Sequence, residues 1–253
     1  MPLTVRQFPC LSDNYGFLIR DEASGKTGCI DTPDAPAILA ELDKAGWKLD
    51  MILNTHWHPD HAGGNAQIQA ATGCTIVGPA EVTRIAPLDR TVAHGDTVDL
   101  GETRFQVIDT GGHTLGHITY FDAADRIAFV GDTLFALGCG RLFEGTAQQM
   151  WTSLQRLAAL PDETTVYCAH EYTASNARFA LSVDEAPALK ARAEAVFAAR
   201  ERGEPTVPTT IALEKATNPF LRAPELAARV GKAGAPDYEA FGAVRAAKDG
   251  FRS

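Results

Sequence analysis

Thr55-His56-Trp57-His58-Pro59-Asp60-His61 places three imidazoles and a carboxylate on one short stretch of chain. His56 and His58 are two apart, so in an extended segment their side chains project to the same side. Pro59 suits the first position of a helix, which would carry Asp60 and His61 to a second point nearby. One turn could therefore serve two metal ions. A lone histidine is more often a packed or surface residue, but four potential ligands in so short a span are hard to explain that way. Met51-Ile52-Leu53-Asn54 upstream has the apolar run of a buried strand, and Ala62-Gly63-Gly64-Asn65 downstream continues a helix start. The motif thus falls at the carboxyl end of a strand, where ligand sites of α/β sheets gather.

The chain has seven histidines, so the remaining ligands must come from His94, His113, His117 and His170. His113 lies in Thr110-Gly111-Gly112-His113-Thr114-Leu115-Gly116-His117, after the alternating segment Thr103-Arg104-Phe105-Gln106-Val107-Ile108 that predicts a strand. Its glycines permit close backbone approach. Asp132 follows the apolar run Ile127-Ala128-Phe129-Val130, and His170 follows Thr165-Val166-Tyr167-Cys168-Ala169. Taken alone, a carboxylate such as Asp132 would be a turn residue or helix cap. A polar ligand type recurring at four strand ends favours a shared site instead. His94, in His94-Gly95-Asp96, has the setting of a turn residue.

These motifs resemble, in order and spacing, those of the metallo-β-lactamase superfamily: Thr55 to His61, Gly112 to His117, Gly131-Asp132-Thr133-Leu134-Phe135, and Ala169-His170-Glu171-Tyr172-Thr173. Four further segments are similar to the glyoxalase II (hydroxyacylglutathione hydrolase) family. They are Leu11-Ser12-Asp13-Asn14-Tyr15, Gly138 to Thr146, Ala216-Thr217-Asn218-Pro219-Phe220-Leu221-Arg222, and Val244-Arg245-Ala246-Ala247-Lys248-Asp249. The resemblance runs essentially from end to end. It implies an α/β fold, the αββα sandwich of two mixed sheets flanked by helices, plus a C-terminal helical domain. It also implies that His56, His58 and His113 bind one metal and Asp60, His61 and His170 the other, with Asp132 bridging. Asp60 and Asp132 would be the catalytic carboxylates. His117 is not a ligand in the family pattern and is expected to support the site or pack.

The resemblance further implies that glutathione carboxylates are held by Arg141, Arg245 and Lys248, with Tyr172 and Phe143 nearby. Arg245 and Lys248, three apart, would share a helix face; without the resemblance, a solvated surface would be the default. Where some family members carry a tyrosine, this chain has Phe143, which cannot donate a hydroxyl hydrogen bond. Thiol-end recognition should differ there.

Composition is that of a globular enzyme: 253 residues, 45% apolar and a net charge of −9. That charge disfavours nucleic acid as a partner. No run of about 18 apolar residues and no signal-like N-terminus is present, so a cytoplasmic protein with no membrane partner is expected. Cys10, Cys29, Cys74, Cys139 and Cys168 form no paired motif and are expected to be buried small hydrophobes. Around residue 170 the composition shifts. Before it, β-branched runs alternate with helical stretches such as Pro36 to Ala45 and Ala147 to Ala159. After it, strands disappear and helical segments such as Ala186 to Arg200 take over, broken by Pro205-Thr206-Val207-Pro208. We therefore expect a catalytic domain at 1–170 and a helical substrate-binding domain at 171–253.

The implied chemistry follows from charge. Two divalent ions bring four positive charges, and Asp60, Asp132 and a bridging hydroxide remove three, leaving about one for an anionic transition state. A thioester suits such a site, because its thiol leaves readily with a pKa near 8.5. No serine nucleophile elbow is present. The expected reaction is hydrolysis of S-2-hydroxyacylglutathione, such as S-lactoylglutathione in methylglyoxal detoxification, by metal-bound hydroxide. Zinc is the expected metal, with iron and manganese chemically compatible. A monomer is expected. Two rivals are a glutathione-persulfide dioxygenase with a single iron on the same fold, and a non-catalytic metal-binding protein with a closed coordination shell. A β-lactamase is disfavoured by Asp132 and the helical C-terminal region.

Overall fold

The computed structural model describes residues 2–252, and the chain forms two compact units. One unit runs to Asp109 and includes Gly116–Gly131; the other comprises Thr110–Leu115 and the chain from Asp132 onward.

The first unit is built on a mixed sheet of six strands in sequence order: β1 (Leu3–Cys10), β2 (Asn14–Asp21), β3 (Thr27–Ile30), β4 (Met51–Leu53), β5 (Thr75–Gly78) and β6 (Arg90–Thr91). β1 to β3 are antiparallel, whereas β3 to β6 run parallel. Helices α1 (Ala35–Ala45), α2 (Pro59–Ala62) and α3 (Asn65–Thr72) supply the crossovers. Asp34 caps α1 by accepting from the Ala37 amide at 3.0 Å, and Gly46 ends it in the left-handed conformation. The apolar stripe of α1, Ile38 and Leu42, packs with Ile68 of α3 against Leu18, Ile52 and Ile76 of the sheet. Burying each such side chain contributes about 1.5–3 kcal/mol.

A second group of strands, β7 (Thr97–Leu100), β8 (Thr103–Asp109), β9 (Ile118–Asp122) and β10 (Ile127–Gly131), pairs antiparallel in the order β10-β9-β8-β7. Alternation in β8 turns Phe105 and Val107 inward and leaves Arg104 and Gln106 outside. Phe129 of β10 meets Phe105 at 6.3 Å between ring centres and Phe17 of the first sheet at 5.9 Å. An aromatic core thus joins the two faces.

Register explains where the first unit places its polar residues. β3 and β4 pair in parallel with Ile30 opposite Leu53, so Asp31 and Asn54-Thr55-His56 leave the sheet at the same edge. Pro59 opens α2 as its composition predicts, with His58 at the cap.

The second unit contains the hairpin β11 (Leu134–Phe135) and β12 (Gly138–Cys139), then α4 (Ala147–Ala158), β13 (Thr165–Cys168), α5 (Thr173–Val183), α6 (Pro187–Glu201), β14 (Thr209–Thr210), α7 (Ile211–Thr217), α8 (Ala223–Leu226) and α9 (Asp237–Gly250). α4 begins with a reciprocal capping box between Thr146 and Gln149. One expectation needs correcting. Strands do not end at residue 170, because Thr209-Thr210 pairs antiparallel with Thr165 and Val166 of β13. Two β-branched residues after an extended proline-rich connection are too few to show a strand period.

The segment Ala216 to Arg222 owes its character to one buried network. Glu214 is fully buried; it pairs with Arg192 and accepts from Thr209 Oγ1 at 2.6 Å. Its other oxygen accepts from the Leu137 amide and from Asn218 Nδ2, each at 2.9 Å. Asn218 Nδ2 also reaches the carbonyl of Gly138 at 2.9 Å, so α7 is tied to the β11–β12 hairpin. All five cysteines are buried and free. Burial pushes the Cys10 and Cys168 thiols up to about 12 and Cys139 to about 11, so these are packing residues rather than thiolate nucleophiles. No helix among the described residues is long and apolar enough to cross a membrane.

Candidate metal centre

In the first unit, the structure brings together His56, His58, Asp60 and His61 around a buried carboxylate, Asp31. Asp31 Oδ1 accepts from the Thr55 amide at 2.7 Å, while Oδ2 accepts from Thr55 Oγ1 at 2.8 Å and faces His61 Nδ1 at 2.8 Å. Both oxygens are committed to the protein, so Asp31 is a support rather than a ligand. Its φ of 54° is unusual for a residue with a side chain, and the three hydrogen bonds hold it there.

This network fixes the imidazole tautomers. The single hydroxyl proton of Thr55 goes to Asp31, so Thr55 Oγ1, 3.0 Å from His56 Nδ1, must accept from that ring. His56 then carries its lone pair on Nε2. The bond to Asp31 likewise keeps a proton on His61 Nδ1 and leaves the lone pair on Nε2, which faces Asp60 Oδ2 at 3.5 Å. His56 Nε2 and His58 Nδ1 are 3.1 Å apart. Two nitrogens bound tetrahedrally at 2.0–2.1 Å to one zinc would be separated by roughly 3.3 Å. Asn14 Nδ2 donates to Asp60 Oδ2 at 3.1 Å, giving the Leu11 to Tyr15 segment a role: it aims the carboxylate.

His117 is fully buried and stacks on His56, with ring centres 4.8 Å apart, which matches a supporting histidine. Gly131, at φ 47°, lies against it; a Cβ there would come within 2.6 Å of both His117 Nε2 and Thr55 Oγ1. His94 is exposed beside the Gly95 turn, and its Nδ1 accepts from the Asp109 amide at 3.3 Å.

In the second unit, Asp132 presents one oxygen to each of two imidazoles. Oδ2 lies 3.4 Å from His113 Nε2 and Oδ1 lies 3.4 Å from His170 Nε2. His113 Nδ1 is 2.9 Å from the Arg141 carbonyl, an acceptor only, so the proton sits on Nδ1 and Nε2 carries the lone pair. Lone-pair nitrogens facing carboxylate oxygens repel unless a cation lies between them. The donor chemistry of both units therefore fits divalent metals, with the Asp132 carboxylate oriented as a bridge would be. Close approach is again purchased with glycine: a Cβ on Gly140 would lie 2.0 Å from the Asp132 carbonyl oxygen.

The same unit holds a cavity of about 480 Å³. His113 and Asp132 reach its wall, as do Arg141, Phe143, Tyr172, Arg245 and Lys248. The default of a solvated helix surface fails for Arg245, which is buried. Its Nη1 donates to the Cys139 carbonyl at 2.8 Å, its Nη2 to Asp249 Oδ1 at 3.0 Å, and its guanidinium lies over Phe220. Lys248 Nζ donates to the Ser175 carbonyl at 3.1 Å and hydroxyl at 3.2 Å, between the rings of Phe179 and Phe251. Burial, followed by repulsion from Arg245 and Arg141, lowers its pKa to about 8. Tyr172 stacks on His170 at 4.7 Å, and Phe143, 63% exposed, meets the edge of His113 at 5.2 Å. Phe143 thus keeps ring contact with a metal-type histidine while offering no hydroxyl.

Sequence reasoning missed Asp31 and gave Thr55 and Asn14 no role of their own. A signal for Asp31 existed, since it follows the apolar pair Cys29-Ile30 in the same way that Asp132 follows its strand.

Comparison with known proteins agrees. Residues 27–170 match the metallo-beta-lactamase superfamily model, and residues 171–251 match the hydroxyacylglutathione hydrolase C-terminus. The chain is 58% identical to the hydroxyacylglutathione hydrolase of Maricaulis maris (strain MCS10), covering 98% of this chain and 99% of the relative. It is 56% identical to that of Erythrobacter litoralis (strain HTCC2594), covering 98% and 100%. Among solved structures, ETHE1 from Myxococcus xanthus is similar with a TM-score of 0.68 at 29% identity, covering 97% of this chain and 98% of that one. TTHA1623 in a di-iron-bound form gives 0.62 at 25% identity, covering 86% and 100%. With both family models matched in succession and relatives this similar along its whole length, the chain belongs to the hydroxyacylglutathione hydrolases of the metallo-beta-lactamase superfamily.

Proposed function

We propose that this protein hydrolyses the thioester of S-2-hydroxyacylglutathiones, releasing glutathione and a 2-hydroxy acid. The observation that carries this reading is the end-to-end relationship to hydroxyacylglutathione hydrolases, including the C-terminal segment from which Arg245 and Lys248 line a cationic cavity. His56, His58 and His113 would hold one ion and Asp60, His61 and His170 a second, with Asp132 shared. Zinc suits these imidazole and carboxylate donors, and iron or manganese would also be accepted. Bound divalent metals supply Lewis acidity and lower the pKa of water from 15.7 to about 7.

The protein's own residues do the rest. Asp31 and Thr55 keep His56 and His61 in the metal-ligand tautomer, and Asn14 aims Asp60. Asp132 and Asp60 limit the net positive charge so that developing anionic charge is stabilised without being trapped. Arg141, Arg245 and Lys248 attract the carboxylates of the thiol half, with the aromatic faces of Phe143 and Tyr172 alongside. The departing thiol has a pKa near 8.5 and leaves as thiolate without a dedicated acid.

Residues 1–170 would then be the catalytic domain and 171–253 the substrate-binding domain of a cytoplasmic monomer. Incubation of the metal-loaded protein with S-lactoylglutathione, following thiol release, tests the assignment. Thiol release at about 1 to 10³ turnovers per second is expected. Oxygen consumption with glutathione persulfide, and no thioester cleavage, would favour the dioxygenase instead.

A further inference from the structure

Three polar side chains of the first unit are buried together and converge on one backbone atom. Thr32 lies just after β3, Asn54 follows β4 and Asn65 opens α3, and all three are 0% exposed. They meet at the carbonyl of His61. This oxygen belongs to α2, a single-turn helix whose last carbonyls have no partner within the helix. It accepts from the Thr32 amide at 2.7 Å and from Asn54 Nδ2 at 3.0 Å, which together occupy its two lone pairs. Because a carbonyl can only accept, the orientation of the whole network follows. Asn54 must turn Nδ2 to His61; its Oδ1 then accepts from Asn65 Nδ2 at 2.7 Å, and Asn65 Oδ1 is left for the Thr32 hydroxyl, also at 2.7 Å. Gly64 permits the approach. Its amide donates to the Thr32 carbonyl at 3.1 Å, and a Cβ there would lie 2.7 Å from that oxygen.

Burying such side chains is unfavourable unless each finds partners, and an apolar set would fill the same space without that demand. An apolar set could not hold a carbonyl oxygen. We propose that Asn65 is a positioning residue for His61: acting through Asn54, it clamps the His61 carbonyl and so fixes the turn that carries the Asp60 and His61 side chains. Asp31 orients the imidazole through Nδ1, whereas this clamp holds the same residue by its backbone. The proposal rests on the reading that His61 holds one of two ions. Asn65 itself reaches His61 only through Asn54 and Thr32.

Asn65→Leu tests it, being close in size and offering Asn54 no partner, so that the Asn54 amide is no longer held with Nδ2 on His61. Zinc affinities are measured by chelator competition on the full-length protein, alongside urea unfolding of the metal-free form. Asn65→Leu should weaken one of the two ions by about tenfold or more and leave the other within about twofold. Thr32→Val, which removes only a hydroxyl from the network, should weaken the same ion severalfold even if Asn65→Leu does not fold, and Thr32→Ser should restore it. Ile68→Ala is the stability control. Ile68 is buried on α3 outside the network, so its loss should lower the urea midpoint with both affinities kept. Unchanged zinc affinities in Asn65→Leu and Thr32→Val would overturn the proposal. So would parallel weakening in Asn65→Leu and Ile68→Ala, which would mean that Asn65 only stabilises α3. Selective weakening of one ion in a protein that does not cleave S-lactoylglutathione would support the clamp and reject the hydrolase reading alone.

Discussion

Asp31 Oδ2 sits 2.8 Å from His61 Nδ1, and through that contact a residue with both oxygens occupied by protein sets the tautomer of a proposed ligand. Partners of this kind are worth 10- to 100-fold in metal affinity. Asp31→Ala should therefore weaken metal binding by about that factor while every ligand remains present. Competition with a chelator measures it; unchanged affinity would show that His61 is oriented by packing alone.

Asp132→Ala removes the carboxylate that faces both His113 and His170. Turnover should fall by orders of magnitude. The fold should survive, because Ala128, Phe129 and Val130 are fully buried within β10 and carry its packing. Near-normal kcat with full metal content would exclude a bridging role.

Lys248 predicts an alkaline limb. With its pKa lowered to about 8 by burial and then by Arg245 and Arg141, it is protonated below that pH, the form that would attract a substrate carboxylate in the proposed reading. Above it the charge is lost, whereas the two arginines keep theirs. A pH–kcat/KM profile for S-lactoylglutathione should fall as pH rises through about 8, with kcat much flatter. Lys248→Met should abolish that limb and raise KM about tenfold. An alkaline limb that persists in the variant would assign it to another group.

Much of this centre was legible in the sequence because metal ligation needs particular side chains at strand ends. His56, His58, Asp60 and His61 are contiguous, and Asp132 and His170 each follow an apolar run that marks its strand. Thr55 and Asp31 were harder to see. They meet only because β3 and β4 pair in parallel with Ile30 beside Leu53, a relationship between residues 24 apart that no local period records. The β14 pair was invisible for the opposite reason, being too short to show a pattern. Asp249 follows Lys248 directly in sequence, yet its position on the cavity wall depends on how α9 lies against β12, through Arg245 and the Cys139 carbonyl.

Glu214 should be a point of fragility. Fully buried, it is paired with Arg192 and also hydrogen bonded to Leu137, Thr209 and Asn218. Glu214→Ala would leave a buried guanidinium unpaired, at a cost of about 3–5 kcal/mol. Urea denaturation should show that loss, and metal restored to saturation should not recover it fully. A loss within about 0.5 kcal/mol would mean that the network relaxes around the substitution.

Joint action of two metal ions on a glutathione thioester is tested most directly by titration of metal-free protein. Zinc is added in steps, and bound metal and S-lactoylglutathione hydrolysis are measured on the same samples. Activity should rise until two ions are bound per chain and then level off. Full activity reached with one ion per chain, or two bound ions with no thioester hydrolysis, would contradict it.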